Sequence, residues 1–361
     1  MRKDIGSDYY IMKSDVDGIT VKKMHYDLLN GFASGTHFLS TCRSAIAWIL
    51  SKEITPKNKK VLLPGFTCHS VLEPCEKEGY DVYPYPITSQ LSVDWAEFQE
   101  TVDSVEPGVV ILHAYFGFNT LQGCDGVIDG LHEKGIVVIE DRTQCVFSNF
   151  KTNADFVVGS IRKWMPVPDG AFIVGASKIA TLQEDDELCG AKLKALNAKA
   201  DYIVNEVGDS SLFRPLFFEA EEILDSRNEP FEMHSTSKAI YQSTNIDNLR
   251  KSRVNNYNVL SARLAKHTEL DVIIKDADDL VAPFHLPVLV NGDRKSLQSH
   301  LAKNGVFATV IWACPEEFVG KLNEGTQTLF DKILCFHCDQ RYAIEDMNRI
   351  GDVIDEYYLN K

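Results

Sequence analysis

Nowhere does the sequence hold the roughly 20 consecutive apolar residues that a helix needs to cross a bilayer. Its longest apolar runs, such as Gly108 to Leu112 and Val137 to Ile139, fall far short of that length. The start Met1-Arg2-Lys3-Asp4 leads into no signal-peptide apolar region. A soluble, cytoplasmic protein with no membrane partner is expected. Positive charge is also scarce: 37 Lys and Arg stand against 52 Asp and Glu, a net charge of -15. The basic residues form no run able to follow a phosphate backbone, which argues against nucleic acid as a partner. There is no internal repeat, no low-complexity tract and no linker rich in Gly and Ser, so the parts of the chain are expected to pack together.

Cysteine is present but unpaired in pattern. Nine cysteines are an odd number, scattered through apolar stretches in the manner of reduced, buried thiols. Cys335-Phe336-His337-Cys338 has the C-x-x-C spacing of redox pairs and of half a zinc site, yet no second pair completes four ligands. Buried free thiols are the expectation there, and no metal is expected.

What the chain does contain is 361 residues with 44% hydrophobic and 25% charged content, ordinary for a folded protein and more than one core usually holds. A large domain with a smaller satellite is expected. The apolar runs at 61 to 64, 81 to 85, 109 to 113, 136 to 140, 156 to 159 and 171 to 174 alternate with helical patterns for most of their course. Strands apolar throughout are buried on both faces, as in a parallel or mixed sheet covered by helices. Beyond residue 177 the pattern predicts long helices over 178 to 207 and 237 to 264. A smaller α/β portion follows, with strands predicted at 271 to 274, 285 to 290, 306 to 311 and 333 to 336, and helices at 294 to 303 and 344 to 358.

Open α/β sheets bind ligands at the carboxyl ends of their strands, so the polar residues just past each apolar run are the candidates. Thr41-Cys42-Arg43-Ser44 opens a helical pattern whose start would suit a phosphate, although a serine there is more often a cap. Phe66-Thr67-Cys68-His69-Ser70 offers a thiol or an imidazole to lie against a ring, or simply a capping threonine. Glu140-Asp141-Arg142-Thr143-Gln144 places a carboxylate where it would pair with a protonated ring nitrogen, with Gln144 turned to the same pocket; a solvated loop carboxylate is the alternative. Ser160-Ile161-Arg162-Lys163-Trp164, followed by Pro166-Val167-Pro168-Asp169-Gly170, hems a lysine between an arginine, an aromatic ring and two prolines. A partly desolvated amine held in this way suits a Schiff-base lysine, while most lysines are merely at the surface.

Taken in order from Thr41 to Val174, these clusters resemble the DegT/DnrJ sugar-aminotransferase family. Weaker likeness extends over Arg253-Val254-Asn255-Asn256-Tyr257, Pro283-Phe284-His285-Leu286-Pro287 and Glu345-Asp346-Met347, covering nearly the whole chain. The resemblance implies an α/β protein of the pyridoxal 5'-phosphate (PLP) dependent transferase fold type I. Its large domain, residues 1–245, would carry a mixed, mostly parallel sheet flanked by helices, and residues 246–361 a smaller C-terminal α/β domain. The implied activity is transfer of an amino group from glutamate or glutamine to a keto-sugar, nucleotide-linked, in polysaccharide or secondary-metabolite biosynthesis, by a homodimer.

The resemblance also implies roles. Lys163 would hold PLP and shuttle the proton at the substrate carbon, and Asp141 would keep the pyridine nitrogen protonated. Gln144 would lie near the cofactor's O3', Ser160 and Ser44 would hold the phosphate beside Cys42, and the residue after Thr67 would stack on the ring. Here the chain departs from the family, with Cys68 and then His69 where an aromatic residue is common, and either is a candidate. The partner-subunit cation is missing near Met233 to Ser237, which leaves Arg43, or Ser235 or Ser237 of the other subunit, to compensate. Tyr115, Trp312 and Arg341 are the candidate substrate contacts. If the substrate is a plain amino acid, Arg341 would grip its α-carboxylate, against the alternative of a salt bridge at a helix start. A non-catalytic PLP-binding or structural protein is the third reading, opposed by the joint presence of Lys163 and Asp141.

Overall fold

The computed structural model describes residues 4–19, 35–227 and 229–359. Its strands, in chain order, are β1 (Ile5–Gly6), β2 (His37–Leu39), β3 (Lys60–Pro64), β4 (Asp81–Tyr85), β5 (Val109–His113), β6 (Val137–Asp141), β7 (Phe156–Ser160), β8 (Ala171–Val174), β9 (Leu270–Val272), β10 (Leu286–Val290), β11 (Val306–Phe307) and β12 (Ile333–Phe336). Seven of them form one sheet in the order β2-β8-β7-β6-β5-β3-β4. Pairings from β4 across to β7 are parallel, and those of β8 with β7 and β2 are antiparallel. This is the mixed, mostly parallel sheet that the unbroken apolar runs lead one to expect.

The two-residue period of a strand divides these runs between two cores. Val61, Leu63, Val109, Ile111, Ile139, Val158 and Ile173 point to one face, where Ile46, Val71 and Leu72 of the helices Cys42–Trp48 and His69–Lys77 cover them. Leu62, Val110, Leu112, Val138, Val157 and Phe172 point to the other, beneath the helices Trp95–Val105, Cys124–Glu133 and Ile246–Leu264. Each such aliphatic or aromatic side chain contributes roughly 1.5 to 3 kcal/mol relative to exposure, so both layers are strongly held.

The second unit is an antiparallel sheet, β12-β10-β9, with the helices Arg294–Lys303 and Ile344–Leu359. Part of the predicted strand 306 to 311 survives as β11, and Thr309 continues only as a bridge to Cys335. The amino-terminal segment contacts both units: β1 pairs in parallel with β11, while Asp4 and Asp8 accept bonds from Tyr202 and Lys199 of the helix Asp186–Val204. Cys335 and Cys338 are buried free thiols.

Of the two long helices that the absence of proline predicts, the first is shorter than expected and the second is broken in two. The first begins only at Asp186, because the Asp185 carboxylate accepts the Leu188 N–H and starts the helix there. Glu184 before it bridges to Glu232. The second is two helices, Ser235–Ser243 and Ile246–Leu264, separated by an extended Thr244 and an Asn245 whose side chain accepts the Asn248 N–H. In both cases a short polar side chain competes with the helical backbone and becomes a cap.

The two units are locked at Trp164, directly after Lys163. Its indole Nε1 donates to the Thr143 carbonyl at 2.8 Å, and its ring lies 4.5 Å from the guanidinium of the fully buried Arg253. Arg253 donates to Gln340, Pro283, Phe284 and Tyr9, while Gln340 donates back to the Trp164 carbonyl. Gly117 makes a second junction: at φ +96° its missing side chain leaves room for the Ala282 carbonyl, which a Cβ would meet at 2.0 Å.

Candidate active site

The carboxyl ends of β3, β5, β6 and β7 converge on a narrow recess of about 50 Å³. Strand register sets its centre, since His113 lies opposite Asp141 across the β5–β6 pair. Asp141 is buried; its Oδ1 accepts the Thr143 N–H at 2.7 Å, and its Oδ2 lies 3.3 Å from His113 Nδ1. Burial acts to raise the Asp141 carboxyl, but the His113 charge and bonds from His113 and Thr143 outweigh it and hold the group below its ordinary value. Thr143, Ser160 and the Cys42 thiol complete the polar wall. Thr143 Oγ1 donates to Cys42 Sγ, and burial pushes that thiol well up, so it lines the recess as an uncharged group.

Lys163 borders this recess and also a chamber of about 570 Å³ next to it. It follows β7 in a single turn, Ile161–Lys163, where the Ile161 and Arg162 N–H groups both donate to the Gly170 carbonyl. The Pro166-Val167-Pro168 segment returns the chain at once to β8, and Gly170 at φ +132° lies where a Cβ would strike Met233 at 2.7 Å. With Trp164 anchored behind it, the lysine backbone is fixed. Among the described residues its amine has no hydrogen-bond or ion-pair partner, which leaves it available to a ligand.

Cys68 and Trp312 also border both spaces, whereas His69 is exposed at the start of its helix. The structure therefore offers Cys68, and not His69, as the group next to the recess. Gln144 faces the chamber, with its Oε1 accepting the Phe116 N–H. Several other expectations end differently. Ser44 caps its own helix start, its hydroxyl 2.8 Å from that of Thr41 and its N–H bonded to the same oxygen. Arg43 reaches the recess wall, but its guanidinium is held at 3.0 Å by both Glu73 and Asp225. Tyr115 is fully buried and donates its hydroxyl to the Phe66 carbonyl, so it touches neither space. Ser237 is buried, its hydroxyl accepting the Asp169 N–H, and Ser235 donates to Glu184. Arg341 lines the chamber but is clamped on Asp339.

Two groups went unnoticed in the sequence. His113 ends the apolar run that begins at Val109, and the rule that picked out the other strand ends points to it equally. Arg162 is next to Lys163 in sequence, but its pairing with Glu221 on the helix Arg214–Ser226 is visible only in three dimensions.

The buried Asp169, just beyond Pro168, should make stability depend on pH. Its carboxyl is pushed up to about 6, because burial outweighs the bonds from Ser237 and the His234 N–H. A folded pKa above the unfolded one contributes stability at low pH that is lost as pH rises through the folded value. The rise from 3.8 to about 6 corresponds to about 3 kcal/mol. Asp169→Asn should remove this component. In urea unfolding, the variant should gain on the wild type progressively between pH 4 and 7; a constant difference across that range would contradict the assignment.

The donor set fits PLP: a carboxylate for the ring nitrogen, an amine for the aldehyde, and hydroxyls for the phosphate, with His113 Nε2 buried and lacking a hydrogen bond among the described residues. No known protein family and no curated protein matches the sequence. Solved structures do. PseC of Helicobacter pylori, an aminotransferase involved in the biosynthesis of pseudoaminic acid, is similar with a TM-score of 0.69 at 12% identity, over 99% of this chain and 100% of that one. The aminotransferase TlmJ of Streptoalloteichus hindustanus gives 0.65 at 15% identity, over 91% and 87%. A DegT DnrJ EryC1 StrS aminotransferase of Brucella abortus gives 0.62 at 13% identity, over 89% and 85%. The chain thus has the fold of the DegT/DnrJ-type aminotransferases, the PLP-dependent transferase fold type I.

Proposed function

We propose that this protein is a PLP-dependent aminotransferase, a cytoplasmic homodimer that moves the amino group of glutamate or glutamine to a nucleotide-linked keto-sugar in polysaccharide or secondary-metabolite biosynthesis. The observation that carries the reading is the placement of an available amine, Lys163, and a buried carboxylate, Asp141, on one recess that adjoins a chamber of about 570 Å³. Bound PLP supplies an electrophilic carbon and an electron sink. Asp141, ionised and oriented by Thr143 and His113, holds a proton on the ring nitrogen. Lys163 would hold the cofactor and, from its position between recess and chamber, would carry the proton to and from the substrate carbon. Cys68 would cover the ring, Ser160 and Thr143 would hold the phosphate, and Gln144, which faces the chamber, would lie near O3'. Trp312, brought over the opening by the second unit, excludes water.

A twofold assembly is supported by apolar side chains left in the open: Phe218 is 69% exposed on the helix Arg214–Ser226, and Leu212 is 54% exposed just before it. Among the described residues no helix is long and apolar enough to cross a membrane. The alternative of an amino-acid enzyme gripping its substrate through Arg341 loses support from that arginine's clamp on Asp339.

The test is to load the purified protein with PLP and supply L-glutamate or L-glutamine alone. Conversion of the bound cofactor to its amine form, with release of the matching 2-oxo acid, is expected. Retention of PLP without conversion by either donor would reject the aminotransferase reading.

A further inference from the structure

Two arginines face the chamber, and their donors are differently occupied. A guanidinium has five N–H donors. Arg341 uses them all: Nε and Nη2 bind Asp339 at 2.8 Å each, Nη1 binds the Ser7 and Asp8 carbonyls, and Nη2 also reaches Ser7. Its face is covered by the Tyr9 ring at 4.2 Å. Nothing is left for a ligand.

Arg162 is placed otherwise. It precedes Lys163, borders both the recess and the chamber, and among the described residues its side chain makes one hydrogen bond, from Nη1 to Glu221 Oε1 at 3.3 Å. The same carboxylate oxygen takes a bond from Lys192, which is 8% exposed and faces the chamber. Two cations therefore share one carboxylate oxygen on the chamber wall, and Asp8, which also lines the chamber, is the other carboxylate that acts on Lys192. The remaining Arg162 side-chain donors have no partner among the described residues, so an anion entering the chamber can engage them. Burial first, and then repulsion from Arg162, lower the Lys192 amine.

We infer that Arg162, backed by Lys192 and Glu221, binds the α-carboxylate of the amino donor beside Lys163. This rests on the function proposed above and assigns the residue that recognises the carboxylate next to the donor's reacting amine. In an α-amino acid one carbon separates the two groups, so a nitrogen held at Lys163 leaves the carboxylate within reach of the neighbouring residue. The planar fork of arginine matches a carboxylate with two parallel bonds. Glu221 keeps the fork in position when no donor is present.

The test uses the PLP-loaded full chain with Arg162→Gln and Arg162→Lys, which both keep the Lys192–Glu221 pair. Glutarate, a dicarboxylate that cannot react, is titrated by tryptophan fluorescence, since Trp312 lines the chamber. Inorganic phosphate is titrated in parallel. Arg162→Gln should weaken glutarate about 10- to 100-fold, the scale of a charge-assisted pair. The KM for L-glutamate should rise by the same factor, Arg162→Lys should recover part of the loss, and borohydride labelling of Lys163 should be unchanged. An unaltered glutarate affinity in Arg162→Gln would overturn the inference. So would weakening of phosphate alone, which would assign Arg162 to a phosphate of the cofactor or acceptor. Should the wild type fail to label with PLP, the aminotransferase reading falls, while the glutarate titration still reports on Arg162.

Discussion

Lys163→Ala should leave a folded protein that no longer retains PLP on borohydride reduction and whose transamination falls by about 10²- to 10⁴-fold or more, the range that a positioned proton carrier supplies. The fold should tolerate the change. The lysine is half-buried and its amine has no hydrogen-bond or ion-pair partner among the described residues, while the contacts that fix this segment belong to Ile161, Arg162 and Trp164. A stability loss within about 1 kcal/mol is expected for such a site. In the wild type, borohydride should fix the cofactor on the peptide that contains Lys163. Label on another lysine, or near-normal turnover in the alanine variant, would remove Lys163 from its role.

The parts of this site that were legible in the sequence are those fixed by short-range pattern. Val109 to Leu112 or Val157 to Val158 must be buried whichever way they face, so the strands and their polar ends at Asp141 and Ser160 were readable. Where two local preferences compete, pattern gives no answer. Asp185 and Asn245 are acceptable inside a helix and better as caps, and the breaks at those points follow from which backbone N–H each carboxylate or amide meets. Long-range pairing was the least readable. Glu221 lies 59 residues from Arg162 and 29 from Lys192 along the chain. Arg43 finds Asp225 across 182 residues, and a cation expected to meet a phosphate meets a carboxylate. The attachment of β1 to β11, distant in sequence and only two residues wide, carries no periodic signal at all.

Asp141→Asn should slow the half-reaction with L-glutamate by about 10²- to 10³-fold, the usual cost of removing one preorganised electrostatic partner of the reacting system, while PLP still attaches to Lys163. The amide preserves what holds the segment together, since its Oδ1 can still accept the Thr143 N–H that the carboxylate accepts at 2.7 Å. What it loses is the charge. Burial alone would push the Asp141 carboxyl above its ordinary 3.8, and His113, 3.3 Å away, is the main influence that brings it below that value. A depressed folded pKa contributes stability that is present above the unfolded pKa and lost as pH falls through the folded one. The wild type should therefore keep this charge, and with it both activity and its share of stability, at every pH above about 4. Asp141→Asn should abolish that acid-side component of the unfolding profile. Exchange of His113 for Gln offers the complementary measurement. It leaves the carboxylate in place but removes the charge that steadies it, so the acid limb of the stability profile should move to higher pH, with a smaller loss of rate than in Asp141→Asn. Near-normal half-reaction rates in Asp141→Asn would dismiss Asp141 as the partner of the ring nitrogen, and an unmoved acid limb in His113→Gln would show that the imidazole does not set its charge.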